Sequence, residues 1–154
     1  MAVVEIKEKR LIGLALRSKT VNANGQSSRD CENLWHEFHK QNFSDIIGGK
    51  VSNDIFGVYH DYEGDSTQPF SYFIGYEVSP DAEVTGGLQS LTIPAGQYQK
   101  HVAKGTMPEC VISAWKEIWN IAYRRTYQVD FEVYDERSKD WSSAEVDVYL
   151  SVKD

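Results

Sequence analysis

The sequence predicts an α+β domain of two βαββ halves related by a pseudo-twofold axis, with an antiparallel sheet that carries one helix from each half. Two segments have helical hydrophobic period, the segments around them have period two, and the landmarks of the two sets recur at one spacing. Trp35 and Trp115 lie 80 residues apart, and Tyr59 and Tyr134, each closing an x-Val-Tyr triplet, lie 75 apart. That points to an internal duplication within a single domain, residues 1–154, with halves at about 1–80 and 86–154. So long a period describes a pair of supersecondary units, not a solenoid of 20–50-residue repeats.

Taken along the chain, residues 11–18 read as a strand and 21–28 as a loop. From Asp30 to Lys40, Cys31, Leu34, Trp35 and Phe38 fall at i, i+3, i+4 and i+7, and Asp30 is placed to cap the first turn. Residues 55–62 and 72–78 are β-rich runs that make a hairpin, followed by a loop over 79–87. Residues 88–103 form a strand candidate interrupted at Pro94-Ala95-Gly96. Thr106-Met107-Pro108-Glu109 is a T-x-x-E capping box that opens a second helix, with Val111, Ala114, Trp115, Ile118 and Ala122 on one stripe, widened by Trp119 and Tyr123. Arg124-Arg125 would end that helix and complement its dipole. Residues 131–135 and 145–152 complete the second half as strands.

Alternation assigns faces. Val146, Val148, Leu150 and Val152 share one side of the last strand, Phe131 and Val133 one side of its partner, and Ile74 and Val78 one side of the first hairpin. These are expected to meet the helices. The other side would then carry Gly57, Tyr59 and Asp61, Phe73, Gly75 and Glu77, Glu132 and Tyr134, and Asp147 and Tyr149. Aromatics interleaved with carboxylates suit a ligand surface better than a solvated face, and the glycines leave room for close approach.

Composition limits the function. The 154 residues are 41% hydrophobic and 25% charged, with a net charge of −7 that repels a phosphate backbone and favours cationic partners. Neither a bilayer-spanning run nor a signal-peptide pattern is present, so the chain reads as cytoplasmic. Two cysteines, Cys31 and Cys110, do not make a disulfide framework. Known motifs fail on spacing. His36-Glu37-Phe38-His39 is one residue short of the helical zinc pair, residues 61–72 place Tyr72 where a calcium loop needs Glu, and Gly48-Gly49-Lys50 lacks the rest of a phosphate loop. No cofactor or metal is expected.

Segments spread over nearly the whole chain resemble the GyrI-like small-molecule-binding family, which also supplies the effector-binding domain of AraC-type regulators. They are Leu34-Trp35-His36-Glu37-Phe38, residues 57–62, Gly75-Tyr76-Glu77-Val78, residues 93–98, residues 114–119, residues 130–135 and residues 146–150. Their order and spacing are most similar to the stand-alone, YdeE-like branch. The resemblance implies a concave sheet and an aromatic pocket with a central acidic residue that takes bulky, often cationic aromatic compounds. Glu132 matches the family acid and Glu77 is a second candidate, with walls drawn from Trp35, Trp115, Trp119, Tyr59, Phe73, Tyr134 and Tyr149.

A carboxylate among rings is costly when empty, and a cation offsets that cost, with roughly 0.5–2 kcal/mol more from each good cation–π contact. The leading expectation is therefore a stand-alone binding protein for a small hydrophobic or cationic ligand, with no direct contact to nucleic acid or membrane. The resemblance also implies two alternatives. One is a hydrolase for cyclopropane-type alkylators, using Glu132 with Tyr134 or Tyr59. The other is a gyrase-inhibitor-type interaction module, with a protein partner or a second copy of the chain.

Overall fold

The computed structural model of the chain describes residues 2–84, 86–120 and 124–153. Its elements run β1 (Ala2–Ile6), β2 (Lys9–Ala15), α1 (Gln26–Lys40), β3 (Lys50–His60), β4 (Ser71–Val78), β5 (Gln89–Ile93), β6 (Gly96–Gly105), α2 (Glu109–Asn120), β7 (Arg125–Tyr134) and β8 (Ala144–Val152). The fold is α+β, one antiparallel sheet in the order β1-β6-β8-β7-β3-β4-β2-β5. That order is a palindrome in which β1 answers β5, β6 answers β2, β8 answers β4, and β7 meets β3 at the centre. Each half has one strand more than the expected βαββ. The first strand of each half pairs with the other half, β1 with β6 and β5 with β2.

Short links force the sheet to curl. Only residues 7–8 join β1 to β2, and only residues 94–95 join β5 to β6, although each pair stands near opposite ends of the strand order. Three Cα steps reach at most about 11 Å, so the two ends of the sheet must come together as a half-barrel. Its inside is one apolar cluster of Leu11, Phe56, Val58, Phe73, Ile93, Tyr98 and Phe131, with Val4 and Ile6 of β1 and Leu91 of β5 against it. Side chains fill such a small barrel. The helices cover the other face in two clusters. Leu34 and Phe38 of α1 lie on Ile12, Ile74, Tyr76 and Val78, while Val111, Ala114, Trp115 and Ile118 of α2 lie on Ala103, Val146, Val148 and Leu150. Full burial of one such side chain stabilises by about 1.5–3 kcal/mol.

Several expectations need correction. Helix α1 begins a turn earlier than the Asp30 start, with Gly25 at its N-cap at φ 71° and no side-chain cap bond. The interruption at residues 94–96 separates two strands, β5 and β6. Arg125 does not end a helix: it opens β7 and is buried. The largest correction concerns faces. Phe131 and Val133 pack inside the barrel, away from the helices, while Gly57, Tyr59, Glu132 and Tyr134 share the helix-covered face with Ile74 and Val148. Alternation orders residues within a strand, and only the register Gly57↔Glu132↔Val148 says which sides of neighbouring strands coincide. Ala122 and Tyr123 lie outside the described residues.

Where Gly13 of β2 faces Gly75 of β4, the facing backbone leaves no room for a side chain. A Cβ on Gly13 would meet the Ile74 carbonyl oxygen at 1.9 Å and Gly75 Cα at 2.5 Å. These are backbone atoms that cannot step aside. Gly13→Ala is expected to lower stability by about 1–3 kcal/mol in chemical denaturation, the range for overpacked sites. An unchanged midpoint would refute this reading of the close approach.

Candidate functional site

At the centre of the palindrome, where β7 meets β3 and the two helix clusters adjoin, one carboxylate is sealed from water. Glu132 is 1% exposed. Its Oε1 accepts hydrogen bonds from the Tyr134 hydroxyl at 2.7 Å and the Tyr72 hydroxyl at 3.2 Å, and its Oε2 from Trp115 Nε1 at 2.7 Å and the Tyr59 hydroxyl at 2.9 Å. Trp35 Nε1 donates in turn to the Tyr72 hydroxyl at 3.0 Å. Thus β3, β4, α2 and β7 each place one donor on the acid, and α1 holds one of those donors. A carboxylate offers about four acceptor positions, and all four are used.

The floor beneath the carboxylate is a glycine. Gly57 lies opposite Glu132 in the register, and a Cβ there would stand 2.2 Å from the Tyr72 hydroxyl and 2.9 Å from Glu132 Oε1. Rings pack around the acid: Tyr59 edge to face against Trp115 at 4.8 Å and tilted against Tyr72 at 4.7 Å, and Trp35 edge to face against Tyr134 at 4.9 Å.

The electrostatics oppose one another. Burial raises the Glu132 pKa above the ordinary carboxylate value, and the four donors pull it partly back. Tyr59, Tyr72 and Tyr134 are pushed well above the usual phenol value, first by burial and then by the Glu132 charge, so they remain protonated donors. The Cys31 thiol on α1 is likewise raised, by burial and by the Glu132 charge.

The structure brings together Glu132, Tyr59, Tyr134, Trp115 and Trp35 from the sequence candidates. It does not bring the other four there. Glu77 faces the barrel side, 3.5 Å from Lys9 Nζ. Phe73 is buried inside the barrel, and Tyr149 stacks on Phe131 at 4.7 Å. Trp119 is 42% exposed on the outer face of α2. Two grooves of about 410 and 360 Å³ open around Gln128 and Val129, the first reaching Phe73 and His60. Neither touches Glu132, whose surroundings are filled by its own aromatic rings.

Sequence reasoning missed Tyr72, although it shares alternation with Ile74, which was assigned to the helix side. It also missed Asp130, two residues before Glu132 on the same face. Asp130 is fully buried and accepts from Arg125 Nη2 and the Tyr62 hydroxyl, both at 2.6 Å, and from the Ser151 amide at 2.9 Å. Unlike Asp130, Glu132 has only neutral donors among the described residues.

Comparison with known proteins adds relatives. The family model described as Cass2, integron-associated effector binding protein, matches residues 2–152. YobU of Bacillus subtilis (strain 168), whose name places it among transcriptional regulators, is 26% identical over 155 residues, covering 98% of this chain and 96% of its own. The integron cassette protein from the mobile metagenome of Vibrio cholerae is 25% identical, with a TM-score of 0.72 over 99% of this chain and 95% of that one. SAV2435, solved bound to tetraphenylphosphonium, shares the fold at a TM-score of 0.77 and 16% identity, covering 99% of this chain and 93% of that one.

Gly57→Ala is expected to push the Tyr72 hydroxyl off the acid, at a cost of about 1–3 kcal/mol, and to change the Trp35 and Trp115 emission. A variant with unaltered stability and emission would show that the glycine floor is not required.

Proposed function

Because the chain belongs to the Cass2 family of integron-associated effector binding proteins, a GyrI-like family, we propose that its effector is a hydrophobic, positively charged aromatic compound, bound among Trp35, Tyr59, Trp115 and Tyr134 with Glu132 as counter-charge. One observation carries this reading: a fully buried carboxylate with four neutral donors and, among the described residues, no cation on it. Neutral hydrogen bonds make the charge tolerable without cancelling it, so a cation brought among the rings gains Coulomb attraction in a poorly screened site, together with cation–π contact. The tetraphenylphosphonium bound by SAV2435 is a ligand of that chemistry.

The ligand-free site is shut, so binding requires an opening. The seam is the contact between Trp35 of α1 and Tyr134 of β7, both half-buried. Parting it exposes ring faces and one side of the acid while Trp115, Tyr59 and Tyr72 hold the rest. The cation then stabilises the open arrangement by binding it in preference to the closed one. With all its acceptor positions occupied by protein donors, Glu132 has no lone pair left over to position a water, which favours binding over hydrolysis.

Titration of the tryptophan fluorescence with tetraphenylphosphonium is expected to quench saturably. Glu132→Gln should weaken that cation by about tenfold or more and leave triphenylphosphine oxide, a neutral analogue, within about twofold. Equal losses for both compounds would sink the charge-selection reading.

Acidity provides a second check. Binding a permanent cation favours ionised Glu132, so affinity should rise with pH through the raised carboxylate range and level off above it, with a flat profile in Glu132→Gln. Stability of the ligand-free protein should move the opposite way. The folded state holds this proton more tightly than the unfolded chain, so the contribution is full at low pH and declines as pH rises through the raised value. Calorimetry and thermal melts across pH 4–8 read both signs.

A further inference from the structure

Glu132 has a buried neighbour of like charge that is already neutralised. Asp130 lies two residues earlier on the same face of β7, about 7 Å away at ordinary strand rise, and is fully buried. A regular strand would place Arg125, five residues before Asp130, on the opposite face. The pairing instead slips: between Arg125↔Val152 and Asp130↔Leu150 the chain advances five residues on β7 and two on β8, with Tyr127 at φ 54°. This bulge turns the guanidinium onto Asp130 at 2.6 Å, 4.3 Å from the Tyr127 ring centroid and 5.9 Å from that of Trp115. The Arg125 side chain is 4% exposed, and its Nε, buried, has no hydrogen-bond partner among the described residues. Trp115 therefore stands between two charges, its N–H on Glu132 and its ring toward an internal cation.

We propose that Arg125 sets the charge number of the ligand: it cancels Asp130, leaves the site one net negative charge, and so selects compounds carrying a single positive charge over dications. This rests on the cation-binding reading above and adds a rule to it. A second positive centre within reach of Asp130 would find the guanidinium already there. A bulge that reverses the side of a strand, builds an aromatic seat and fills it with an arginine gives the site a fixed valence. At separations near 7 Å and an effective dielectric near 20, each unit of charge changes affinity by about tenfold or more.

The test compares benzyltrimethylammonium with p-xylylene-bis(trimethylammonium), which share an aromatic ring and differ by one charge, using tryptophan quenching and calorimetry. The wild-type protein should bind the monocation more tightly. Arg125→Gln, which retains an amide donor for Asp130, should shift the ratio of the two affinities toward the dication by about tenfold or more. Asp130→Asn, which leaves the arginine charge unopposed, should weaken the monocation by a similar factor. The double variant Arg125→Gln/Asp130→Asn restores one net negative charge and should return to the wild-type ratio. It also decides the question if a single variant fails to fold by circular dichroism. An unchanged ratio in folded Arg125→Gln, or a shifted ratio that persists in the double variant, overturns the valence rule alone. A wild-type protein that saturably binds neither cation overturns the cation-binding reading and this rule with it.

Discussion

A carboxylate buried with no counter-charge among the described residues is the constraint around which the other parts are arranged. Left bare and ionised it would cost several kcal/mol or take up a proton. Glu132 is instead met by donors from β3, β4, α2 and β7, and Tyr72 is itself held by Trp35 of α1. No single element could supply that set. The arrangement needs two helices on one face, a glycine at the crossing point, and phenols kept protonated by burial and by the charge they serve. The same partners that make the charge tolerable also surround it with ring faces, so in the proposed function the device that stabilises the acid doubles as the wall of the site.

Topology delivers those donors to one point. The palindromic strand order puts β7 against β3, so the first residues of contact between the halves lie on the central pair, and the seam between the two helix clusters runs over it. Tyr59 packs against both clusters. The two-residue links curl the sheet until its other face becomes a filled barrel. Side chains such as Phe73 and Tyr149, close to the site in sequence, are thereby committed to packing. One face is a core that needs only shape and apolar area. The other carries the chemistry.

How much of this was legible follows from which physical signals are local. Both amphipathic helices, the hairpins and the pairing of Glu132 with Tyr134 could be read because each depends on spacing within one element. The GyrI-like resemblance singled out Glu132 on its motif. The assignment of faces across strands failed for Phe131 and Val133 because side-chain parity has an origin only once register is known, and register is a property of two strands together. Tyr72 was lost with it. Strand β1 escaped because five residues with exposed alternate positions have little pattern of their own until β6 pairs with them. Arg125 was misread as a helix end because its partner is Asp130, five residues on, and only the bulge in β7, invisible in composition, brings the two together.

The exchange of first strands between the halves has a consequence for how the molecule comes into being. With β1 seated on β6 and β5 on β2, each half completes the other, and a chain severed between residues 80 and 86 would yield two pieces with unsatisfied strand edges instead of two small domains. Strand β1 must wait for residues near 100 before it has a partner. Folding is therefore governed by distant closures more than by neighbours along the chain, a topology of high contact order that assembles slowly and as one cooperative unit. The duplicated plan, which looks as though it could be taken apart, is interlocked.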